Sequence, residues 1–191
     1  MRKLLHFIIS SILFINYASA EVKVGVEGGL AFADMRAEET AQIIANASGS
    51  TVNYTYEEAT WMGRIFADYE FTPEVHAEVG YFLTGSLDAT YKISTDSATE
   101  SYDAMGIDAA VVFYQDSVFF KAGMHSSELN GSANITIGGT TYAVTETISG
   151  SGFLVGGGLQ MDETRYGLTY YSDMGGDADS DMLFLYAGLV F

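Results

Sequence analysis

Cysteine is absent from this sequence, proline occurs once, and basic residues are scarce. Without cysteine, neither a disulfide framework nor a lipid-modified amino terminus is available, so packing and hydrogen bonding alone must stabilise the fold. Eight lysines and arginines stand against 25 aspartates and glutamates, which gives a formal net charge of -17. We expect no nucleic-acid partner, because a surface this acidic repels phosphates.

Long apolar runs are also missing, except near the amino terminus. Two basic residues precede an apolar stretch from Leu4 to Ile15, and the small-residue pattern Ala-Ser-Ala ends at Ala20. This is the pattern of an export signal, and the stretch is shorter than the roughly 20 residues of a membrane-spanning helix. We therefore expect a signal peptide at residues 1–20, cleaved after Ala20, and one exported domain at residues 21–191.

Alternation of apolar and polar residues is the main feature of the remaining chain. In the segment 61–71, WMGRIFADYEF, every second residue is apolar or glycine, and the charged Arg64, Asp68 and Glu70 stand between them. The pattern resumes at 75–84, after a turn at the only proline, and further segments repeat it. Period-two alternation is typical of strands with one apolar face. The sequence predicts eight such strands.

The connections between these strands alternate in length. Short links are expected at 72–74, 116–117 and 163–164, and long polar ones at roughly 37–58, 86–103, 128–152 and 174–181. Short turns at one end and long loops at the other, joined by strands of about ten residues, are typical of bacterial outer-membrane barrels. The predicted fold is all-β, an eight-stranded antiparallel up-and-down transmembrane β-barrel over residues 21–191.

The direction of the apolar face separates two kinds of eight-stranded barrel. A soluble periplasmic barrel would turn its apolar side chains inward around an apolar ligand. Bulky apolar residues come from every strand, and eight strands enclose only a narrow lumen, so we expect the apolar face outside, against lipid. The soluble ligand-binding barrel remains the alternative.

The same alternation places charged residues of both signs inside the barrel. The predicted lumen residues are Lys23, Glu27, Arg64, Asp68, Glu78, Asp108, Lys121 and Arg165, joined by His76 and His125. Unpaired buried charges are costly, so we expect ion pairs that plug the lumen. A proton or ion path is a less favoured alternative.

The carboxy-terminal segment MLFLYAGLVF contains no charge and ends in phenylalanine. As the eighth strand it must close the barrel against the first, with Leu185, Leu189 and Phe191 on the lipid side. This ending resembles the assembly signal of outer-membrane proteins, which makes the barrel assembly machinery an expected partner.

The hairpins at 68–82 and 156–171 and the ending YAGLVF together resemble the small eight-stranded outer-membrane barrels. These include the OmpA transmembrane domain, OmpX and Ail, and more loosely the accessory colonisation factor A type. The resemblance implies outer-membrane location, contact with lipid and lipopolysaccharide, and a role of the loops in adhesion, surface protection or envelope integrity. It implies no cofactor and no catalytic residue.

One segment raises an enzymatic alternative. His125 and Ser127 share a strand face beside Glu128, similar to the His-x-Ser pair of outer-membrane lipid A deacylases, so a lipid-modifying hydrolase is conceivable. Their alternation directs them to the lumen, and they lie on the fifth strand, so we expect no enzymatic activity.

The loops are acidic, because Arg36 and Lys92 are the only basic residues of the expected mature chain that lie outside the lumen. Asp177, Asp179 and Asp181 alternate in a way that suits calcium, but no glycine or closing glutamate completes a known loop pattern, and a solvated loop is favoured. The segment 132–152 also alternates, which leaves open a protruding sheet with a free edge or a mobile loop. A host or environmental ligand of the loops is expected, and its identity stays open.

Overall fold

The computed structural model describes residues 21–34, 36–94, 96–176 and 180–191. The predicted signal peptide and its cleavage site after Ala20 lie outside these residues. Along the chain the elements are β1 (Val22–Ala33), α1 (Ala37–Ser48), β2 (Asn53–Tyr56), β3 (Ala59–Thr72), β4 (Val75–Thr84), β5 (Leu87–Ile93), β6 (Asp96–Gln115), β7 (Val118–Ile137), β8 (Thr140–Met161), β9 (Thr164–Tyr171), a 3₁₀ turn (Met174–Gly176) and β10 (Met182–Val190).

Eight of these strands form a closed antiparallel ring, in the order β1, β3, β4, β6, β7, β8, β9, β10. The ring closes where β10 pairs with β1, from Gly25 opposite Val190 to Ala33 opposite Met182. Phe191 adds two backbone hydrogen bonds with Val24, of 2.8 and 3.1 Å. The predicted eight-stranded up-and-down barrel is confirmed.

Apolar side chains cover the outside of the ring, and charged and aromatic ones fill the inside. Ile65, Val79 and Leu185 are exposed on neighbouring parts of the outer surface, whereas Arg165 and Phe119 are fully buried. An apolar exterior around a filled polar interior fits a bilayer and not water. The alternative prediction, a soluble barrel with its apolar face turned inward, is therefore wrong.

Short turns join the strands at the end that carries both ends of the described chain. Asp116 and Asp162 adopt left-handed backbone conformations in two of these turns, with φ of 54° and 53°. Aspartate tolerates this conformation better than bulky residues do. The turn predicted at 163–164 lies one residue earlier, at 162–163.

The opposite end carries a crown of regular structure, which we define as α1, β2, β5 and the loop-side parts of β6, β7 and β8. The expected loop at 128–152 is a β-hairpin that turns at Gly138 and Gly139, both with positive φ. The expected loop at 86–103 is β5 paired with the start of β6, and β2 extends this sheet. Strands thus continue well past the membrane, since threonine and β-branched residues favour the pleated conformation there.

Helix α1 was not predicted, because it lies inside a segment that is rich in small polar residues. Its acidic first turn, Glu38 and Glu39, complements the positive end of the helix dipole. The Gly49 N–H donates to the Ala45 carbonyl and ends the helix with a left-handed residue. Ala37 and Ala41 pack on Tyr91 of β5 and form a small core of the crown.

Among the described residues, no helix has the length and apolar character needed to cross a membrane.

Candidate functional site

Seven of the eight predicted lumen charges meet inside the ring. They come from six different strands and are all buried: Glu27 on β1, Arg64 and Asp68 on β3, Glu78 on β4, Asp108 on β6, Lys121 on β7 and Arg165 on β9. Three cations thus face four carboxylates. We call this group the lumen network.

Arg64 is the centre of the loop-side half of the lumen network. Its Nε and Nη2 donate to the two carboxylate oxygens of Asp108 at 2.8 and 2.7 Å, which is a bidentate pair. Its Nη1 also donates to Glu27 at 3.0 Å and to Glu78 at 3.1 Å. One guanidinium therefore joins three carboxylates from three other strands, and charge-assisted bonds of this kind are among the stronger ones.

Arg165 has the corresponding role nearer the short turns. Its Nη1 donates to Glu78 and, at 3.3 Å, to Glu27, so the two arginines share both glutamates. Its Nη2 donates to the Tyr114 hydroxyl, and its Nε donates to Gln160 Oε1 at 3.1 Å. Tyr114 and Gln160 were not predicted as site residues, although their strand alternation does place them on the lumen face.

Lys121 is held more loosely than the arginines, whereas His76 makes a close contact with one carboxylate. The Lys121 Nζ lies 3.9 Å from Glu27 Oε2 and 5.0 Å from the centre of the Tyr186 ring. Within the described part of the chain, this Nζ has no hydrogen-bond partner. The His76 Nδ1 lies 2.7 Å from Asp68 Oδ1. Lys121 thus contributes charge to the network with less geometric definition than the arginines.

Lys23 lies apart from the lumen network. Its side chain is 32 % exposed, and its Nζ is 3.7 Å from both Glu21 and Glu70 at the short-turn end. The alternation of β1 puts Lys23 on the same face as Glu27, but β1 begins at Val22, so the side chain reaches solvent at the rim. It is the one predicted lumen charge that the structure does not bring into the cluster.

Glycines make room for the arginines. A Cβ on Gly80 would lie 2.7 Å from the Arg64 Nε, and one on Gly25 would lie 2.2 Å from the Phe66 ring. That ring packs between the two arginines, 4.7 Å from the Arg64 Cζ and 5.0 Å from the Arg165 Cζ. Because Gly25 on β1 and Gly80 on β4 have no side chain, space is left for the large side chains of Phe66 and Arg64 on β3, the strand between them.

The proposed His-x-Ser pair points into the lumen, away from lipid. The Ser127 Oγ accepts a hydrogen bond from the Gly175 N–H at 2.9 Å, and His125 Nε2 lies 2.7 Å from the Ser172 carbonyl. The other ring nitrogen of His125 has no partner within the described residues. These contacts hold the 3₁₀ turn and the residue Ser172 ahead of it over the barrel, and among the described residues the hydrogen bond of the Ser127 hydroxyl is with a backbone N–H and not with a base.

Asp181, the described member of the acidic loop, helps to close that loop. Its two carboxylate oxygens accept hydrogen bonds from the Tyr170 hydroxyl at 2.6 Å and the Asp173 N–H at 3.2 Å. The other two calcium candidates, Asp177 and Asp179, lie outside the described residues. Over the ranges that the structure covers, no group of three potential ligands could hold a metal ion.

The residues of the expected assembly signal lie on the outer face of β10. Leu185 and Leu189 are exposed there, opposite Leu30 and Val26 of β1, and Phe191 continues the same face. The structure thus places all three on the lipid-facing surface at the seam where the barrel closes.

One carboxylate of the crown is half-buried outside the membrane-spanning part. Burial raises the pKa of Glu100, and the neighbouring Tyr91 hydroxyl offsets part of that rise. A carboxyl whose pKa is higher in the folded state stabilises that state below its ordinary pKa, and this contribution is lost as the pH rises through the folded value. We expect amides of β5 to exchange more slowly at about pH 4 than at about pH 7, after correction for intrinsic rates.

The variant Glu100→Gln should remove most of this pH dependence, because the amide stays neutral throughout. Glu39→Gln, on the exposed side of α1, should leave the dependence as it is. If amide exchange in Glu100→Gln kept the pH dependence of the original protein, Glu100 would not be the source of that dependence.

A closed ring of eight antiparallel strands, apolar outside and filled with ion pairs inside, defines a small transmembrane β-barrel of the outer-membrane class. Several solved structures share the fold, and two of them are described here. The attachment invasion locus protein Ail of Yersinia pestis, in complex with the heparin analogue sucrose octasulfate, is 13% identical, with 90% of this chain and 99% of that one covered and a TM-score of 0.56. The outer membrane protein OprG from Pseudomonas aeruginosa is 7% identical, with 90% and 97% covered and a TM-score of 0.50.

No protein-family model and no curated protein sequence matches this chain. The predicted resemblance to the small outer-membrane barrels is confirmed at the level of the fold. At these identities the likeness carries no information on ligands or activity.

Proposed function

We propose that this protein is a non-enzymatic barrel of a bacterial outer membrane whose crown binds an extracellular protein through the free edge of β8. The observation that carries the proposal is the segment from Thr140 to Thr147, in which every residue is exposed. One edge of this segment pairs with β7. Pairing of β8 with β9 begins only at Leu154, and among the described residues no strand covers the other edge of the segment.

Backbone directions show which groups this edge offers. The Gln160 N–H donates to the Ser117 carbonyl on the β7 side, and the Phe153 carbonyl accepts from Ser172 on the β9 side. Successive residues of a strand point their backbone groups to opposite edges, and the register between β7 and β8 has no shift. The N–H groups of the odd-numbered residues 141, 143, 145 and 147 therefore point away from β7 and can pair with an added strand.

The side chains of the segment suit strand addition. Threonines, Tyr142 and Val144 have high strand propensity, and Glu146 is the only charged residue. Long, exposed edges with little charge are the ones that natural proteins otherwise protect, since they pair readily with other chains. Main-chain hydrogen bonds would supply most of the affinity for an extended segment of the partner.

The charge of the crown makes a polyanion an unfavourable partner. Ail was solved with a heparin analogue, which is strongly anionic. Within residues 21–191 only Arg36 and Lys92 supply positive charge outside the lumen and the short-turn rim, and acidic residues surround them in sequence. We therefore propose a neutral or basic polypeptide segment as the ligand.

The route to the membrane is part of the same proposal. Export would use the signal peptide at residues 1–20, with cleavage after Ala20. The barrel assembly machinery would recognise the outer face of the last strand, with Leu185, Leu189 and Phe191, and the apolar belt would then contact lipid and lipopolysaccharide. No cofactor is needed for binding through a sheet edge.

Replacing both Ala143 and Thr145 with proline should abolish binding at this edge. Each proline removes an N–H that points outward, and no hydrogen bond to β7 is lost, so the hairpin should stay paired. Bacteria that express the variant should adhere to surfaces coated with extracellular proteins at least about tenfold less than bacteria with the original chain, the loss expected when about 1.4 kcal/mol of binding free energy is removed.

Thr145→Val is the matched control, because it keeps the outward N–H and a β-branched side chain. It should adhere like the original protein, and heat-modifiable gel mobility should show that all variants form barrels. Equal adhesion of the double proline variant and the original protein would refute the edge as the binding site. So would adhesion of the original protein no higher than that of cells without it.

A further inference from the structure

The two faces of the β8 edge differ in the side chains that they carry. Leu154 is buried inside the barrel, and β8 pairs with β7 without a shift in register as far as the hairpin turn, so the even-numbered residues stay on the same side of the sheet as Leu154. We call this side the inner face. At the free edge the inner face carries Tyr142, Val144 and Glu146, and the outer face carries Thr141, Ala143, Thr145 and Thr147.

The inner face is apolar toward the tip of the hairpin. Tyr142 lies opposite Ile135 of β7, and Val144 lies opposite Ala133. The side chains of Tyr142 and Val144 are nevertheless 57% and 56% exposed. Apolar side chains on a strand gain stability when a further apolar side chain lies beside them. The open side of this patch is the free edge of β8.

Glu146 follows on the same face, and its row of the sheet contains no basic side chain. Its neighbour on β7 is Gly131, which in turn lies opposite Tyr102 of β6. A Cβ on Gly131 would lie 2.9 Å from the Tyr102 Cε1, so the tyrosine ring occupies the space of the missing side chain. Glu146 itself is exposed at the end of the row. A cation on an added strand would therefore be its neighbour on the open side.

An added antiparallel strand would bring its side chains nearest to those of the inner face. The backbone N–H and C=O of one residue point to the same edge in such a sheet, and those of the odd-numbered residues point outward from β8. The even-numbered residues then occupy non-hydrogen-bonded positions, where opposite Cα atoms are about 4.5 Å apart instead of about 5.5 Å. The outer face would contribute mainly through its backbone, whereas the inner face would distinguish between side chains.

We propose that the β8 edge selects an extended segment with the pattern basic-x-apolar-x-apolar, read from its amino end, in which the basic residue pairs with Glu146. In the antiparallel direction the two apolar residues then lie beside Val144 and Tyr142. This inference rests on the proposed binding through the edge and names the class of segment that the edge prefers. Glu146 is the specificity-determining residue, because it is the one charge of the exposed segment and its carboxylate attracts a cation and repels another acid.

Peptide titration of the full barrel in nanodiscs of zwitterionic lipid tests the pattern, with the backbone amide NMR signals of Ala143 and Thr145 as the readout. The acetylated peptide TKTVTVT should shift both signals saturably. The peptide TETVTVT, which puts a like charge opposite Glu146, should bind roughly fivefold more weakly, as expected for exposed cross-strand charge pairs. The peptide TKTSTST, which lacks both apolar side chains, should bind roughly tenfold more weakly.

The variant Glu146→Lys should reverse the charge preference, so that TETVTVT binds roughly fivefold more tightly than TKTVTVT. Glu39→Lys, on α1 of the crown, changes the net charge equally and should keep the preference of the original protein. This control separates the pair at the edge from the general field of the acidic crown. The variant with proline at 143 and 145 should bind none of the peptides.

The outcomes distinguish failure of the edge from failure of its preference. If none of the peptides shifts the Ala143 and Thr145 signals of the original protein, both the edge and the pattern are refuted. If the three peptides bind there with equal affinity, the edge accepts strands without reading their side chains, and the pattern is wrong. A Glu146→Lys variant that still prefers the lysine peptide would likewise overturn the assignment of Glu146.

Discussion

Replacing Arg64 with methionine is expected to destabilise the barrel by about 3–5 kcal/mol, the range found when one partner of a buried ion pair is removed. Glu27, Glu78 and Asp108 each accept a hydrogen bond from this guanidinium, so the change leaves buried carboxylates with fewer partners. Methionine fills similar space, which separates the loss of charge from the loss of volume. Urea unfolding in lipid bilayers, followed by the fluorescence of Trp61, the only tryptophan, measures the change.

Lys23→Met is the matched control, because it removes one positive charge from the same barrel face. Its ion pairs are 3.7 Å long and partly exposed, so the cost should stay below about 1 kcal/mol. The double variant Arg64→Met with Asp108→Asn should recover part of the stability, since it removes an unpaired charge. Equal losses for Arg64→Met and Lys23→Met would mean that the lumen network does not stabilise the fold.

The faces of the barrel strands were predictable because a strand repeats every two residues. Once Arg64 is assigned to the lumen, Ile65 must face lipid, and the structure places both accordingly. The rule depends only on local geometry, so it needs no knowledge of neighbouring strands. It holds for β10 as well, where Phe184 is buried and Leu185 exposed.

Which lumen residues touch was less predictable, because contacts depend on the register between strands. Lys23 and Glu27 share a face of β1, yet only Glu27 reaches the arginines. The difference is height along the barrel: Glu27 lies opposite Arg64, whereas Lys23 lies opposite Asp68, close to the rim. The alternation of residues determines which face of the strand a side chain lies on, and the pairing between strands determines its height along the barrel.

The structure of the crown depends on contacts between distant segments, which explains why sequence patterns missed most of it. The strand Asn53–Tyr56 has four residues and exists by pairing with Ala89–Lys92 of β5. Helix α1 packs its alanines on the same strand. Neither element has the length or the apolar periodicity that identifies a strand or a helix in isolation.

Replacing Ile65 with arginine tests the outward direction of the apolar face. Ile65 is 58% exposed near the middle of β3. On the lipid face of a barrel, arginine at the bilayer midplane costs about 2–4 kcal/mol. We expect a loss of this size in unfolding from lipid bilayers, and reduced recovery of the heat-modifiable folded form.

Ile43→Arg is the control that separates the effect of the surrounding medium from the effect of the substitution itself. Ile43 is 62% exposed, like Ile65, but it lies on α1 in the crown. In water an exposed arginine replaces an exposed isoleucine at little cost, so stability should stay within about 0.5 kcal/mol of the original. Two positions with the same residue and nearly the same exposure would then differ only because one faces lipid. If Ile65→Arg were as harmless as Ile43→Arg, the outer surface would be in water and the apolar belt would need another partner.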